Sequence, residues 1–337
     1  MPSRLLASAL ATSPVELVRA RDSAFGGPNT RDRTRYTRVR PGVYALLDAW
    51  KRLAPWERYL ARVHAYSLIA PSAVFAYESA AVLLGLPIFG EPRDVHVFSA
   101  ERSASRRLSD VCVHTGADER ETLDVSGLRV TSVAATALDL MRVLPPLYGL
   151  AVGDAAISAA QGGITGTDEL RALSRAQCTR RGAARLRLLL STVDARAESP
   201  GESVSRGVII WSGFEVPELQ VVIRSEGYED RVDFAWRSVR ALAESDGYGK
   251  YLGETPEETV ERVIAEKRRE DRLRRHCSSF QRWDMKAAEA ITPLVERLER
   301  MNIPRTGTRR PILLSTVNPR SPTPAARQAS HVEPTSR

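Results

Sequence analysis

Apolar and polar positions along this 337-residue chain change their rhythm several times, and each change marks an element. The pattern predicts helices over 55–69, 77–84, 132–143, 149–160 and 167–174, where apolar residues return to one face every three or four positions. Short β-rich runs at 94–99 and 110–115 predict strands between them. Before these, 36–40 and 43–47 flank Pro41-Gly42 and predict a small hairpin with arginines at its near side. Thr131 or Ser132 can cap the helix that contains Val133. At the start, Leu5 to Arg21 is the one stretch with helical character, and 23–35 is a Gly/Pro/Arg-rich connection.

A second unit opens at Ser199-Pro200-Gly201-Glu202, where Ser, Pro and Glu fit an N-cap, a first-turn proline and a capping box. That helix is expected to run to Trp211. Strands follow at 219–223, 231–236 and 240–244, and Thr255-Pro256-Glu257-Glu258 opens a long charged helix through Arg275. A weak strand at 279–283 and a helix over 284–300 complete a compact α/β order. The last 37 residues hold six of the twenty prolines and are expected to form a disordered basic tail over 301–337.

Composition narrows the class. With 43% hydrophobic and 27% charged residues the chain is neither wholly disordered nor fibrous. No apolar run reaches membrane-span length, so no membrane partner is expected, and a cytoplasmic location is the default. Cys112, Cys178 and Cys277 are too scattered to write a metal pair or a disulfide framework, and His64, His96 and His114 are expected to be structural. The net charge of +8 is carried at the ends: residues 1–42 and 301–337 hold +5 each, leaving −2 between them. Basic arms suit an acidic partner such as DNA, although two solvated arms would look the same.

One cluster carries chemistry. Alternation along 231–236 puts Val232, Phe234 and Trp236 on one face and Asp233 on the other. Glu244 and Asp246 share a face of the next strand. If the turn between the strands has an even number of residues, Asp233 and Glu244 meet on the same side; an odd loop would part them. Two such carboxylates repel unless a cation neutralises them, and hard oxygen ligands suit Mg²⁺ or Mn²⁺. Such a metal can polarise a phosphodiester and acidify an attacking water, with Lys250 or Lys267 offsetting developing charge. Glu244-Ser245-Asp246-Gly247 also fits a plain acidic turn, and Glu202 also fits as the capping partner of Ser199.

Residues 202–275 resemble the restriction-endonuclease superfamily, in its very-short-patch-repair-like branch. The features that carry this are Glu202, Pro217-Glu218-Leu219-Gln220, Arg231 to Trp236, Glu244-x-Asp246-Gly247 and Glu266 to Leu273. The resemblance implies that Asp233 and Glu244 bind metal with Glu202 and Gln220 assisting. The superfamily's carboxylate-x-Lys ending is here Glu244-x-Asp246. The first 190 residues resemble AbiEi-type antitoxins of type IV toxin–antitoxin systems, on Arg38 to Tyr44, Tyr77 to Pro87, and Val130 to Leu140. That resemblance implies a winged helix at the N-terminus, DNA binding and a cognate toxin partner.

The expected architecture is therefore α/β (α+β): a degenerate winged-helix-like segment over 1–50, an α+β region over 51–195, an endonuclease-like domain over 196–300 and the tail. Arg33, Arg35, Arg38 and Arg40 are expected to contact phosphates, and an oligomer is left open. The expected function is metal-dependent hydrolysis of DNA phosphodiesters. The alternatives are an antitoxin-like regulator with an inert nuclease fold, and a module that neutralises a toxin without DNA.

Overall fold

A computed structural model describes residues 10–25, 27, 29–246 and 256–314. They are mixed α+β and divide into two units: residues up to 144 with 164–187, and 145–163 with 188 onward. Residues 145–163 thus group with the later unit, beyond the boundary expected at 195/196.

The first unit begins with β1 (Val18–Arg19), β2 (Tyr36–Arg40) and β3 (Val43–Leu46) in the order β1-β3-β2. Pro41-Gly42 makes the predicted turn, with Gly42 at φ +79°. Residues 10–21 are not α-helical as expected; they hold β1 and lead into a short 3-10 turn, Ala20–Phe25. The reason is the β1–β3 pairing, in which Val18 faces Tyr44. Helices α1 (Leu47–Arg52) and α2 (Pro55–Ser67) follow, and Glu57 accepts the Ala54 N–H to close the start of α2. Val15, Ala45 and Ala61 form the small core there.

A six-stranded mixed sheet comes next, built from β4 (Val74–Phe75), β5 (Val95–Phe98), β6 (Arg106–Leu108), β7 (Val111–His114), β8 (Thr122–Val125) and β9 (Leu128–Thr131). Its order is β6-β7-β5-β4-β9-β8. Helix α3 (Tyr77–Leu84) is buried along Glu78 to Leu84, so this run is core. Helix α4 (Val133–Val143) starts at Ser132, whose hydroxyl accepts the Ala135 N–H. Helix α5 (Pro146–Ile157) belongs to the second unit, and α6 (Thr167–Ala176) to the first.

His96 and His114 lie on neighbouring strands with Nδ1 and Nε2 2.8 Å apart, and the Tyr77 ring stacks on His114. Burial, together with His96 and Arg120 nearby, depresses the His114 pKa to about 3. The unfolded chain therefore takes up a proton near pH 6.5 that the folded unit refuses until about pH 3. Stability is expected to fall by about 2 kcal/mol between pH 7 and 4.5 from this group. Urea midpoints of the wild type and His114→Asn check it; equal acid losses in both would refute the assignment.

The second unit holds α5, α7 (Ala183–Leu190), which crosses the division, and α8 (Pro200–Trp211). Ser199 caps α8 as predicted, its hydroxyl accepting the Glu202 N–H at 3.2 Å. Gly207 lets α8 approach α5: a Cβ there would sit 2.5 Å from the Leu147 side chain. Strands β10 (Glu218–Ser225), β11 (Tyr228–Trp236), β12 (Ala241–Asp246) and β13 (Ser279–Asp284) form a sheet in sequence order, with α9 (Pro256–His276) between the last two. The β10–β11 and β11–β12 pairs are antiparallel, and β12–β13 is parallel. The helix expected over 284–300 is two, α10 (Met285–Glu289) and α11 (Thr292–Arg300), separated by Ile291 at φ +65° before Pro293.

The tail expected over 301–337 is ordered as far as 314. Met301, Ile303 and Leu314 are buried, Arg310 donates its backbone N–H to the Trp211 carbonyl, and α12 (Pro311–Leu314) ends the described chain. Apolar anchors outweigh the proline-rich composition there. Residues 315–337 lie outside the described residues.

Candidate active site on the β10–β12 face

The turn joining β11 to β12 has four residues, 237–240, so the register pairs Phe234 with Ala243 and places Asp233 opposite Glu244. The even-turn condition is met. On the other side of Asp233, β10 pairs Leu219 with Phe234 and Val221 with Val232, which sets Gln220 opposite Asp233. Gln220 takes φ +54°, a left-handed backbone rare in a non-glycine strand residue. Its side-chain amide donates to Glu202 Oε2 at 2.8 Å and toward Asp233 Oδ1 at 3.4 Å. Helix α8 and three strands thus bring Glu202, Gln220, Asp233 and Glu244 to one face of the sheet.

Glu202 is both a capping residue and a member of this cluster. Its carboxylate accepts the Glu198 N–H at 2.9 Å and the Ser199 hydroxyl at 2.8 Å as well as Gln220. It is 5% exposed, and burial, reinforced by the charge of Asp233, pushes its pKa up to about 7. Asp233 accepts the Ser245 backbone N–H at 2.8 Å. All of these donors are neutral. Among the described residues, the Glu202–Asp233 pair therefore receives no hydrogen bond from a cation.

Glu244 is buried beneath a guanidinium. Arg269 on α9 places Nη2 2.7 Å from one of its oxygens and 2.8 Å from the other. Arg269 is also held by Glu266, through Nε at 2.8 Å and Nη2 at 2.7 Å. Arg282, which β13 sets beside Glu244 across the parallel pair, reaches Asp246 at 2.6 Å and Glu266 at 2.7 Å. Both arginine pKa values are driven further up, that of Arg269 chiefly by its hydrogen bond to Glu266. A cavity of about 600 Å³ opens here, lined by Asp233, Glu244, Glu266, Arg231, Arg269 and Arg282 among others.

The predicted residues thus fare differently. Glu202, Gln220, Asp233 and Glu244 converge. Asp246 is turned to Arg282, Lys267 is exposed on α9 and does not line the cavity, and Lys250 lies outside the described residues. Arg33, Arg35 and Arg38 are exposed near the β2–β3 hairpin. Arg40 is not available to phosphate as expected: it is 7% exposed, paired with Asp110 at 2.8 Å and set over the Tyr66 ring, because the end of β2 is buried. Sequence reasoning missed Arg269 and Arg282. Arg262, Glu266 and Arg269 share a helical face by their spacing of four and three, which was the signal available.

The oxygen-only donors Glu202, Asp233 and Glu244 suit a hard divalent cation, and the neutral hydrogen-bond donors around Glu202 and Asp233 favour one. As arranged, no trio of His, Cys, Asp and Glu among the described residues is drawn close enough to hold a metal ion, and Glu244 faces Arg269.

Two uncharacterized proteins of Mycobacterium tuberculosis, from strains CDC 1551 and H37Rv, are each 38% identical to this chain over 130 residues. The match takes in 38% of this chain and 47% of each relative, so the chain spans about half the length of the curated relatives it matches. No family description and no solved structure matches. No helix among the described residues is long and apolar enough to cross a membrane.

Proposed function

We propose that this chain acts on DNA, and that its second unit is a restriction-endonuclease-like domain that hydrolyses phosphodiesters with Mg²⁺ or Mn²⁺. The observation that carries this is the convergence of Glu202, Gln220, Asp233 and Glu244, from one helix and three strands, beside a cavity rich in arginine. Asp233 and Glu244 would hold the metal with Glu202 assisting. When bound, the metal would polarise the phosphodiester and lower the pKa of a water. Gln220 and the Ser245 N–H orient Asp233, and the arginines of the cavity attract the phosphate backbone. Nicking of supercoiled plasmid with Mg²⁺ or Mn²⁺ is the test.

The first unit, in this proposal, holds DNA through a degenerate winged-helix-like hairpin, as an antitoxin-like region would. Replacing Arg33 and Arg38 together by Ala is expected to lower the slope of log affinity against log salt by about 2, with little change in sequence preference. Duplex titrations at several salt concentrations check this. An unchanged slope would remove the hairpin from the interface.

A second proposal, an antitoxin-like regulator whose nuclease fold is inert, draws on one observation: Arg269 occupies both oxygens of Glu244, where a metal would sit. It predicts binding to its own promoter without metal and no cleavage under any condition. A stable complex with a neighbouring gene product would add the toxin partner.

A further inference from the structure

We propose that Arg269 is a gate that keeps Glu244 from metal until DNA arrives, so that substrate completes the metal site. The inference rests on the metal-dependent reading above and adds regulation of that same site.

In the structure Arg269 competes directly with a cation, since one Nη2 lies 2.7–2.8 Å from both Glu244 oxygens. A buried carboxylate so paired has little affinity left for a metal, because the guanidinium already neutralises it. The pairing can be given up without stranding the arginine. Glu266, three residues earlier on α9, holds Nε and Nη2, and Nη1 reaches the Arg231 carbonyl at 3.2 Å. The Arg269 side chain is also 23% exposed, at the border of the cavity of about 600 Å³.

A phosphodiester entering that cavity offers what Glu244 offers, an anionic pair of oxygens matched to a planar guanidinium. Exchange of carboxylate for phosphate would move Arg269 onto the backbone of DNA and free Glu244 for the cation beside Asp233. Three other arginines of the cavity are less suited to this role. Arg231 is bound to Glu198, and Arg272 to Asp230, neither of which belongs to the convergent carboxylate set. Arg282 grips Asp246 at 2.6 Å and stands 3.5 Å from Glu244. By linkage, DNA then tightens metal binding and metal tightens DNA binding by the same factor.

The test uses the full chain and Mn²⁺, read by the loss of the free-ion electron paramagnetic resonance signal, and a fluorescent duplex read by anisotropy. The gate predicts weak Mn²⁺ binding by the wild type and binding about tenfold tighter by Arg269→Gln, both without DNA. Mn²⁺ should strengthen duplex binding by the wild type about tenfold, and by Arg269→Gln much less. Arg272→Gln removes a charge from the same cavity and controls for general electrostatics. Equal gains in Arg272→Gln, or Mn²⁺ affinity unmoved in Arg269→Gln, would overturn the gate. Failure of the metal reading itself looks different: Arg269→Gln would then bind Mn²⁺ equally well with Asp233→Asn or Glu244→Gln added.

Discussion

Asp233→Asn is expected to lower metal-dependent nicking of supercoiled plasmid by about a hundredfold or more while leaving duplex binding measured without metal within about twofold. The asymmetry follows from where Asp233 stands. It sits between Gln220 and Glu244 across three strands, and an Asn oxygen can still accept the Ser245 N–H, giving up only the long 3.4 Å contact from Gln220 to the other oxygen. The substitution removes the negative charge and little of the packing. The same charge helps hold Glu202 near pH 7, so Glu202 should ionise at lower pH in the variant. A protonated Glu202 favours the fold below its pKa, and that contribution is lost as pH rises from about 4.5 through about 7. The loss should therefore be smaller, and complete at lower pH, in Asp233→Asn. Cleavage equal to the wild type would end the nuclease proposal. Absence of cleavage in every form, with promoter binding retained, would favour the inert fold with Arg269 in the place of the metal.

How much of this was legible in the sequence depends on which forces placed each residue. Asp233 and Glu244 could be put on one face from strand alternation alone, once the four residues 237–240 were counted as the turn. Ser199 and Glu202 announced the start of α8 because capping is local chemistry. Arg40 was misjudged as a phosphate contact because its partner, Asp110, is seventy residues away. The 304–314 segment was misjudged because composition cannot show that Leu314 finds a buried seat and Arg310 a carbonyl at the end of α8. Arg269 lay in plain view on a charged helix. Nothing local distinguishes an arginine that pairs with Glu266 on its own helix from one that also clamps Glu244 on a strand.

The membership of α5 in the second unit has an energetic consequence. Asp154 on α5 is fully buried, and Arg206 on α8 meets both its oxygens at 2.7 and 3.0 Å. The Asp194 N–H donates to the same carboxylate at 2.8 Å, and Arg206 also reaches the Thr192 carbonyl at 2.6 Å. Such a pair need not stabilise the fold relative to apolar residues of like size, because burying both charges is itself expensive. Removing one partner is another matter. Arg206→Met leaves a carboxylate in the core without its guanidinium, and the expected loss is about 3–5 kcal/mol. Against the 5–15 kcal/mol or so typical of a whole domain, that suffices to leave much of the second unit unfolded at moderate urea. Burial already raises the pKa of Asp154, and without Arg206 it should rise further. A raised carboxyl pKa stabilises the fold below the unfolded value and loses that benefit as pH rises, so Arg206→Met should be least impaired in mild acid. Trp211, Trp236 and Trp283 are all buried in this unit and report its unfolding by fluorescence. The double change Asp154→Leu with Arg206→Met should recover most of the loss. If Arg206→Met instead costs under about 1 kcal/mol at pH 7, water has replaced the guanidinium and the α5–α8 contact is held by apolar packing around Gly207 alone.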